Sequence, residues 1–327
     1  MSMPEQAKQH PKEAIAAIMP LYNKRNYVLE AIESILRQTR LPDEIVIVDD
    51  GSTDGSGDLV KAHCRNNPRI ILIRQDNQGP GAARNAAINA SSAPLLTFLD
   101  ADDKWLPERV EKQAGFMEHH PSCMFSFTAS IGFNEQTGET WHTPLIEDMP
   151  VDVFIKKEYF PQRRYIATNS VMLRRKVLDK VGMFDPTLRT SQDTDLWLRI
   201  MLRFGFTYIP EYWVWVRRGY PQTVATMEKR RNGNHHFFLK HRYTFGKGLC
   251  GQAVWRAGYA SVLRGNAIWY FKQKMGLKAA ATLARAVYLW PFFNPSRVSK
   301  SMMEYSLGSA GYDKSVAFFR KLIQRKQ

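Results

Sequence analysis

Apolar and polar positions follow two alternating rhythms through the first 120 residues. Residues 15–19 form a short apolar run stopped by Pro20, which reads as a buried strand. Val28, Ala31, Ile32, Ile35 and Leu36 then recur at helical spacing, so a helix is expected over 27–38 with Asn26 as its N-cap. The β-branched run at 44–48 predicts a second strand, and 53–64 a helix. Residues 70–73 read as a third strand, and 80–90, rich in alanine after Gly79, as a third helix. A fourth strand is expected at 95–99 and a helix at 106–118. Strands and helices alternating through short connections predict a mostly parallel sheet covered on both faces.

The rhythm loosens after residue 118. Shorter antiparallel strands are expected at 123–133 and 170–174, a helix at 190–204 with Leu196, Trp197, Ile200 and Met201 inward, and a last strand at 213–216. Character changes again near 222–228, beyond which the chain is basic, aromatic and helical. The expected organisation is a loose lead at 1–12 and an α/β domain at 13–225. Within that domain the regular rhythm covers 13–118 and the looser one 119–225. A basic helical region would follow at 226–327.

Charge sharpens this division. The 327 residues carry a net charge of +15. Residues 229–327 hold 19 Lys/Arg against Glu304 and Asp313, a balance of +17, so the rest of the chain is close to neutral. A basic segment of this kind seeks phosphate, whether nucleic acid, an anionic membrane or an acidic ligand. The three cysteines, Cys64, Cys123 and Cys250, are scattered and form no CxxC. That excludes a disulfide framework and a thiolate zinc site, and fits a reducing compartment. No stretch reaches the apolar length that spans a bilayer, and the N-terminal residues lack the apolar core of a signal peptide. A cytoplasmic location is therefore expected.

The candidate chemistry lies at strand ends. The first strand runs into Pro20-Leu-Tyr-Asn23, the second into Asp49-Asp50-Gly-Ser-Thr-Asp54, and the fourth into Asp100-Ala-Asp102-Asp103. The C-terminal ends of parallel strands share one sheet edge, where ligands bind. Up to six carboxylates would gather there, and a divalent cation relieves their repulsion. Asp100 and Asp102 are spaced to reach one ion, and all-oxygen ligation suits Mg2+ or Mn2+ rather than zinc. Isolated Asp-rich turns have a simpler explanation, since Asp and Gly favour strand-end turns. Neither G-x-G-x-x-G nor G-x-x-x-x-G-K-[ST] is present, so no glycine cradle for phosphate is expected.

Five segments resemble the successive motifs of family 2 glycosyltransferases: Ala-Ile-Met-Pro-Leu-Tyr-Asn at 17–23, Glu-Ile-Val-Ile-Val-Asp-Asp-Gly-Ser-Thr-Asp at 44–54, Asn-Gln-Gly-Pro-Gly-Ala-Ala-Arg-Asn at 77–85, Phe-Leu-Asp-Ala-Asp-Asp at 98–103, and Val-Gly-Met-Phe-Asp at 181–185 followed by Ser-Gln-Asp-Thr-Asp-Leu-Trp-Leu-Arg at 191–199. The resemblance spans about residues 13–220. It implies a GT-A fold, with 13–118 as the nucleotide-binding part and 119–225 as the acceptor part, a nucleotide-sugar donor and inversion at the anomeric carbon. It makes Pro20, Tyr22 and Asn23 part of the nucleotide-sugar site, Asp50 the partner of the base ring, and Arg84 a contact to base or diphosphate. It places Asp102 on the metal and Asp100 on ribose or metal. The family's catalytic base is the second residue of a Glu-Asp pair. Here the pair is Gln192-Asp193, so Asp193 is the implied base, with Gln192 and Trp197 on the acceptor side. Independently of the resemblance, sugar transfer needs a group to accept the acceptor's hydroxyl proton, and a carboxylate at a helix start suits that role. An acid in a first helical turn is also an ordinary stabilising feature.

In the basic third, a wheel started at Lys274 puts Lys278 and Arg285 on one face, with Met275, Ala279, Leu283, Ala286 and Trp290 opposite. Such a helix either packs on a domain with its basic face in water or lies on an anionic membrane. The charge excess favours the membrane, and no nucleic-acid partner is expected. His235, His236 and His241 read as part of a solvated basic face. The sequence thus points to a metal-dependent, inverting glycosyltransferase, peripheral on the inner face of the cell membrane. It would transfer from a UDP-sugar to a hydroxyl of a lipid-linked or surface glycan. The rivals are a nucleotide-sugar-binding protein that has lost turnover, for which Gln192 speaks, and a nucleic-acid-binding protein resting on the basic segment alone.

Overall fold

The computed structural model describes residues 12–147, 149–160, 166–218 and 224–289, without the side chains of 157, 224–227 and 250. Residues 1–11 of the lead expected at 1–12, and Trp290 of the expected apolar helix face, lie outside the described residues. The chain divides into two compact units: residues 1–155 with 165–233, and residues 156–164 with 234–327.

The first unit is built on a nine-stranded sheet. Strands β1 (Ile15–Leu21), β2 (Glu44–Asp50), β3 (Ile70–Gln75) and β4 (Leu95–Phe98) run parallel in the order β3-β2-β1-β4. Helices α1 (Val28–Leu36), α2 (Ser56–His63) and α3 (Pro80–Asn89) alternate with them, as the sequence rhythm predicts. In α1 the residues Val28, Ala31, Ile32 and Ile35 are buried, the stripe that its spacing demands. Its N-cap position is Tyr27 rather than Asn26, without a side-chain cap. The Lys24 carbonyl closes that turn instead, accepting from the amides of Tyr27 and Val28 at 2.9 Å each.

The second half of the sheet is mixed. Beyond β4 the order continues through β8 (Val171–Arg174), β6 (Phe125–Asn134), β9 (Thr207–Arg218) and β5 (Lys104–Trp105), with β7 (Thr140–His142) on β6. β8 is antiparallel to β4 and β6, while β9 is parallel to β6. β9 is three times as long as the four-residue strand expected from its apolar run. Its start is only half-buried, and its register jumps from Ile209 to Tyr212 across Pro210 and Glu211. Proline cannot donate to a ladder, so the pairing slips there. Helix α4 (Arg109–His119) covers the sheet, and α5 (Gln192–Phe204) turns Leu196, Trp197, Ile200 and Met201 inward as expected.

Helix α6 (Val224–Lys240) begins just before the boundary expected at 225, and the two units divide further along it. The second unit contains α7 (Leu249–Lys272) and α8 (Gly276–Leu289). Its core is aromatic. Phe160 meets Phe238 at 5.1 Å and Phe245 at 4.9 Å, and Phe238 stacks on Tyr259 at 5.0 Å. Two expectations fail here. Lys274 is not on the helix with Lys278 and Arg285, but in the turn before Gly276 with φ 59°. The histidines do not form one solvated face: His241 is buried against Phe237, and His235 hydrogen-bonds the Tyr259 hydroxyl. Aromatic neighbours in a small core outweigh the basic composition around them.

Candidate active site

Register decides which strand ends meet. Leu21 pairs with Asp49, Asp50 with Gln75, and Ile18 with Phe98. The ends of β1, β2 and β4 therefore line up along one edge. A cavity of about 480 Å3 opens there in the first unit. Pro20 and Tyr22 form part of its wall, with Asp50, Arg84, Asp100 and Asp102 from the strand ends and α3. Gln192 and Asp193 reach it from the start of α5. Of the expected donor-side and base residues, the structure thus brings all but Asn23 to one cavity.

Four carboxylates and four cations line this cavity: Asp50, Asp100, Asp102 and Asp193 with Lys24, Arg84, Arg189 and Lys229. Arg84 donates to Asp100 at 2.6 Å, and Lys24 to Asp102 at 2.6 Å. Arg84 is 4% exposed, and its Nε and Nη1 have no hydrogen-bond partner among the described residues. Buried donors left unmade cost about 1–3 kcal/mol each, so these two suit a ligand with anionic oxygens. Asp50 is fully engaged. Its oxygens accept from Gln75 Nε2 at 2.7 Å and from the amides of Gln78 and Gly79 at 2.8 Å each. It thereby folds the 75–79 loop over the cavity. Gly79 has φ 94°, a conformation that favours glycine, and a Cβ there would meet the movable end of the Arg189 side chain at 3.0 Å.

The six-carboxylate expectation is corrected. Only Asp50, Asp100 and Asp102 of the six line the cavity. Asp49 alternates to the other face of β2, where it accepts from the Ser52 amide at 3.0 Å. Asp54 accepts from the amides of Arg25 and Ser56 at 3.0 and 2.9 Å. Asp103 points into the protein and accepts from Asn169 Nδ2 and the Arg217 amide at 2.6 Å each. Burial pushes its carboxyl well above the ordinary range, and the charges of Asp102 and Asp100 add to the effect.

Asp193 and Asp195 both sit in the first turn of α5, yet they differ. Asp195 is fully buried and forms a fork with Arg199 at 2.9 and 2.7 Å. Asp193 lines the cavity. Its oxygens accept from the Thr194 amide at 2.7 Å and the Thr168 hydroxyl at 3.2 Å. Ser191, with φ 63°, turns the chain into this helix start, where the macrodipole favours a carboxylate. Gln192 is buried, and its Oε1 has no hydrogen-bond partner among the described residues.

Two expected site residues lie elsewhere. Trp197 is no acceptor-side residue. It is 1% exposed and packs on Phe98, Phe125 and Phe184 at 5.4–5.7 Å between ring centroids. Its position on the inward stripe of α5 fixes this. Asn23 is not in the cavity wall; its Oδ1 accepts from the Thr53 amide at 2.8 Å and joins the first loop to the second. Sequence reasoning missed Lys24, Arg189 and Lys229 because single cations carry no spacing signal. Lys24 does directly follow the motif at 17–23.

Asp100 and Asp102 supply an all-oxygen pair on one turn, and among the described residues no group of three or more His, Cys, Asp or Glu is placed to hold a metal ion. Such a pair fits Mg2+ or Mn2+, which take few protein carboxylates and fill their remaining positions with phosphate and water.

The chain is similar to known proteins in sequence and in fold. The glycosyltransferase TuaG of Bacillus subtilis (strain 168) is 34% identical over 197 residues, 60% of this chain and 75% of TuaG. An uncharacterized glycosyltransferase of Rickettsia felis is 35% identical over 191 residues, but the chain spans only 30% of that longer protein. Among solved structures, S. aureus TarS residues 1–349 superpose with a TM-score of 0.64 at 17% identity, covering 96% of this chain and 92% of that one. The same region of TarS in complex with UDP-GlcNAc gives 0.60. The mannosyltransferase PcManGT from Pyrobaculum calidifontis, in complex with GDP-Man and Mn2+, gives 0.56 at 19% identity over 92% of this chain and 86% of that one. The fold is of the GT-A type that the motifs implied. The Glycosyl transferase family 2 model matches residues 16–182, and the chain belongs to that family.

Proposed function

We propose that the chain transfers a sugar from a nucleotide-diphosphate donor, UDP-linked, to a hydroxyl of a lipid-linked or cell-surface glycan, with inversion and with a divalent metal. The observation that carries this reading is the meeting of Asp100 and Asp102 with Asp193 in one cavity. Pro20, Tyr22 and the Asp50-held loop form the nucleoside end. The unpaired donors of Arg84 meet donor oxygens, and Asp193 accepts the proton of the acceptor hydroxyl as its oxygen attacks the anomeric carbon. The bond from that carbon to the phosphate oxygen breaks, and the nucleoside diphosphate leaves with the electron pair. A bound Mg2+ or Mn2+, held by Asp102 and Asp100, would neutralise charge on the leaving diphosphate. TarS in complex with UDP-GlcNAc supports a UDP-linked donor, PcManGT with Mn2+ supports the metal, and TuaG, named for teichuronic acid biosynthesis, supports a surface glycan.

No helix among the described residues is long and apolar enough to cross a membrane. Peripheral attachment through the second unit is the proposed alternative. Lys278 and Arg285 are exposed on α8, and Leu277 and Tyr288 stand 91% and 86% exposed on the same helix. Basic residues near an anionic surface contribute about 1 kcal/mol each. Vesicles test this part: the protein should co-sediment with anionic lipid, poorly with neutral lipid, and less in high salt. Replacing Lys274, Lys278 and Arg285 with Glu should release it, and equal binding to both vesicle types would overturn it.

The transfer itself is tested by incubating the protein with common nucleotide sugars and Mn2+ and measuring free nucleoside diphosphate. Release with a UDP-sugar, lost in excess chelator, is expected. Binding without release would support the non-catalytic reading instead.

A further inference from the structure

The turn Thr168–Ser170 carries polar side chains in a place where polar side chains are costly. Thr168 and Asn169 are 1% exposed and Ser170 is fully buried. Such groups persist in a core only when each finds a partner. Here the partners are informative. The Thr168 hydroxyl donates to Asp193 Oδ2 at 3.2 Å. The next residue, Asn169, donates through Nδ2 to Asp103 Oδ2 at 2.6 Å. Asp193 is 25 residues from Thr168 along the chain, and Asp103 is 66 residues from Asn169.

The local geometry explains how neighbouring residues serve two clusters. The turn is one turn of 3-10 helix, in which successive side chains diverge by about 120°. One side chain is thereby sent to the start of α5 and the next to the turn at 100–103. The turn is also held from below. Trp105 Nε1 donates to the Asn169 carbonyl at 2.9 Å, and Gln113 Nε2 to the Ser170 carbonyl at 3.1 Å. The buried Arg109 donates to the Val171 carbonyl at 3.1 Å. Asp103 is fixed from its other side by the Arg217 amide, and Arg217 Nε also donates to the Asp102 carbonyl at 3.0 Å.

We infer that Thr168 and Asn169 are positioning residues. Together they set the Asp193 carboxylate at a fixed place relative to the turn that carries Asp100 and Asp102. Neither touches the reacting atoms. Each acts through the carboxylate it holds, so the base and the donor-side acids share one rigid support. The inference rests on the reading of Asp193 as the base.

Turnover and donor-side binding separate this role from plain stability. The probes are the UDP-sugar giving the fastest UDP release with Mn2+, and UDP with Mn2+ for calorimetric affinity. Thr168→Val keeps the shape and removes the hydroxyl. It is expected to lower kcat about ten-fold or more, the scale of a lost hydrogen bond to a charged group, with UDP affinity within about two-fold of the parent. Thr168→Ser restores the donor and should return kcat to within about three-fold. Asn169→Ala should weaken UDP affinity as well as kcat, because it loosens the 100–103 turn. Thermal unfolding monitors whether it folds, and the Thr168 pair decides the matter if it does not. Parental kcat in Thr168→Val, no rescue by Ser, or a parallel loss of UDP affinity in Thr168→Val would overturn the inference. Asp193→Asn serves as the control. If it retains turnover, the base assignment fails; if it loses turnover while Thr168→Val does not, only the positioning role fails.

Discussion

The ends of β2 and β4 look alike as sequence and differ as structure. Each parallel strand of the same sheet runs into a cluster of three aspartates. After β2 every aspartate accepts backbone amides, Asp49 from Ser52 with Arg74 a looser 3.7 Å away, Asp54 from Arg25 and Ser56, and Asp50 from Gln78 and Gly79. After β4, Asp100 and Asp102 face side-chain cations, Arg84 and Lys24, and only Asp103 turns inward. Backbone donors cannot leave, so the first cluster shapes a loop. Side-chain cations can move aside, so the second cluster can exchange its partners for a ligand. Acid content alone does not mark a binding site; the identity of the resting partner does.

The largest effect should come from the β4 cluster. Asp102→Asn is expected to abolish sugar transfer and weaken binding of UDP with Mn2+, read by UDP release and calorimetry. Full activity in that variant would erase the contrast. The β2 cluster should behave oppositely. Asp54→Ala is expected to cost about 1 kcal/mol of stability, the scale of a lost local cap, with donor release little changed. Desolvation pushes the Asp54 carboxyl up, but hydrogen bonds from Ser56 and the Arg25 amide outweigh it and hold the pKa below the usual carboxylate value. A lowered folded-state pKa stabilises above the unfolded value, so the difference between parent and variant should be full at neutral pH. It should fade as the pH falls below about 4. Thermal melts from pH 7 to pH 3 measure this smaller effect.

Much of the first unit was legible because its signals are local. The buried stripe of α1 and the β-branched run of β2 identify their elements in a few residues each. Asp50, Asp100, Asp102 and Asp193 could be placed at the cavity because they sit at strand ends or in a helix start, and Arg84 because it lies in the motif at 77–85. The second half resisted for physical reasons. β9 begins half-buried and slips at Pro210, so no clean alternation announces it. The same limit explains Trp197: its motif suggested the acceptor side, while its place on the inward stripe of α5 buried it among three phenylalanines. Lys274 failed at the level of backbone, because a wheel drawn through it ignored the turn ahead of Gly276. The contacts of Thr168 and Asn169 were invisible, since they join residues far apart in the chain through a single turn.

The most direct test of the account measures donor binding and turnover together in Asp193→Asn. If Asp193 takes the acceptor proton while Asp100 and Asp102 hold the donor side, turnover should fall by roughly 10²–10⁴ while affinity for UDP with Mn2+ stays near the parental value. Loss of that affinity in step with turnover, or turnover that survives the substitution, would contradict it.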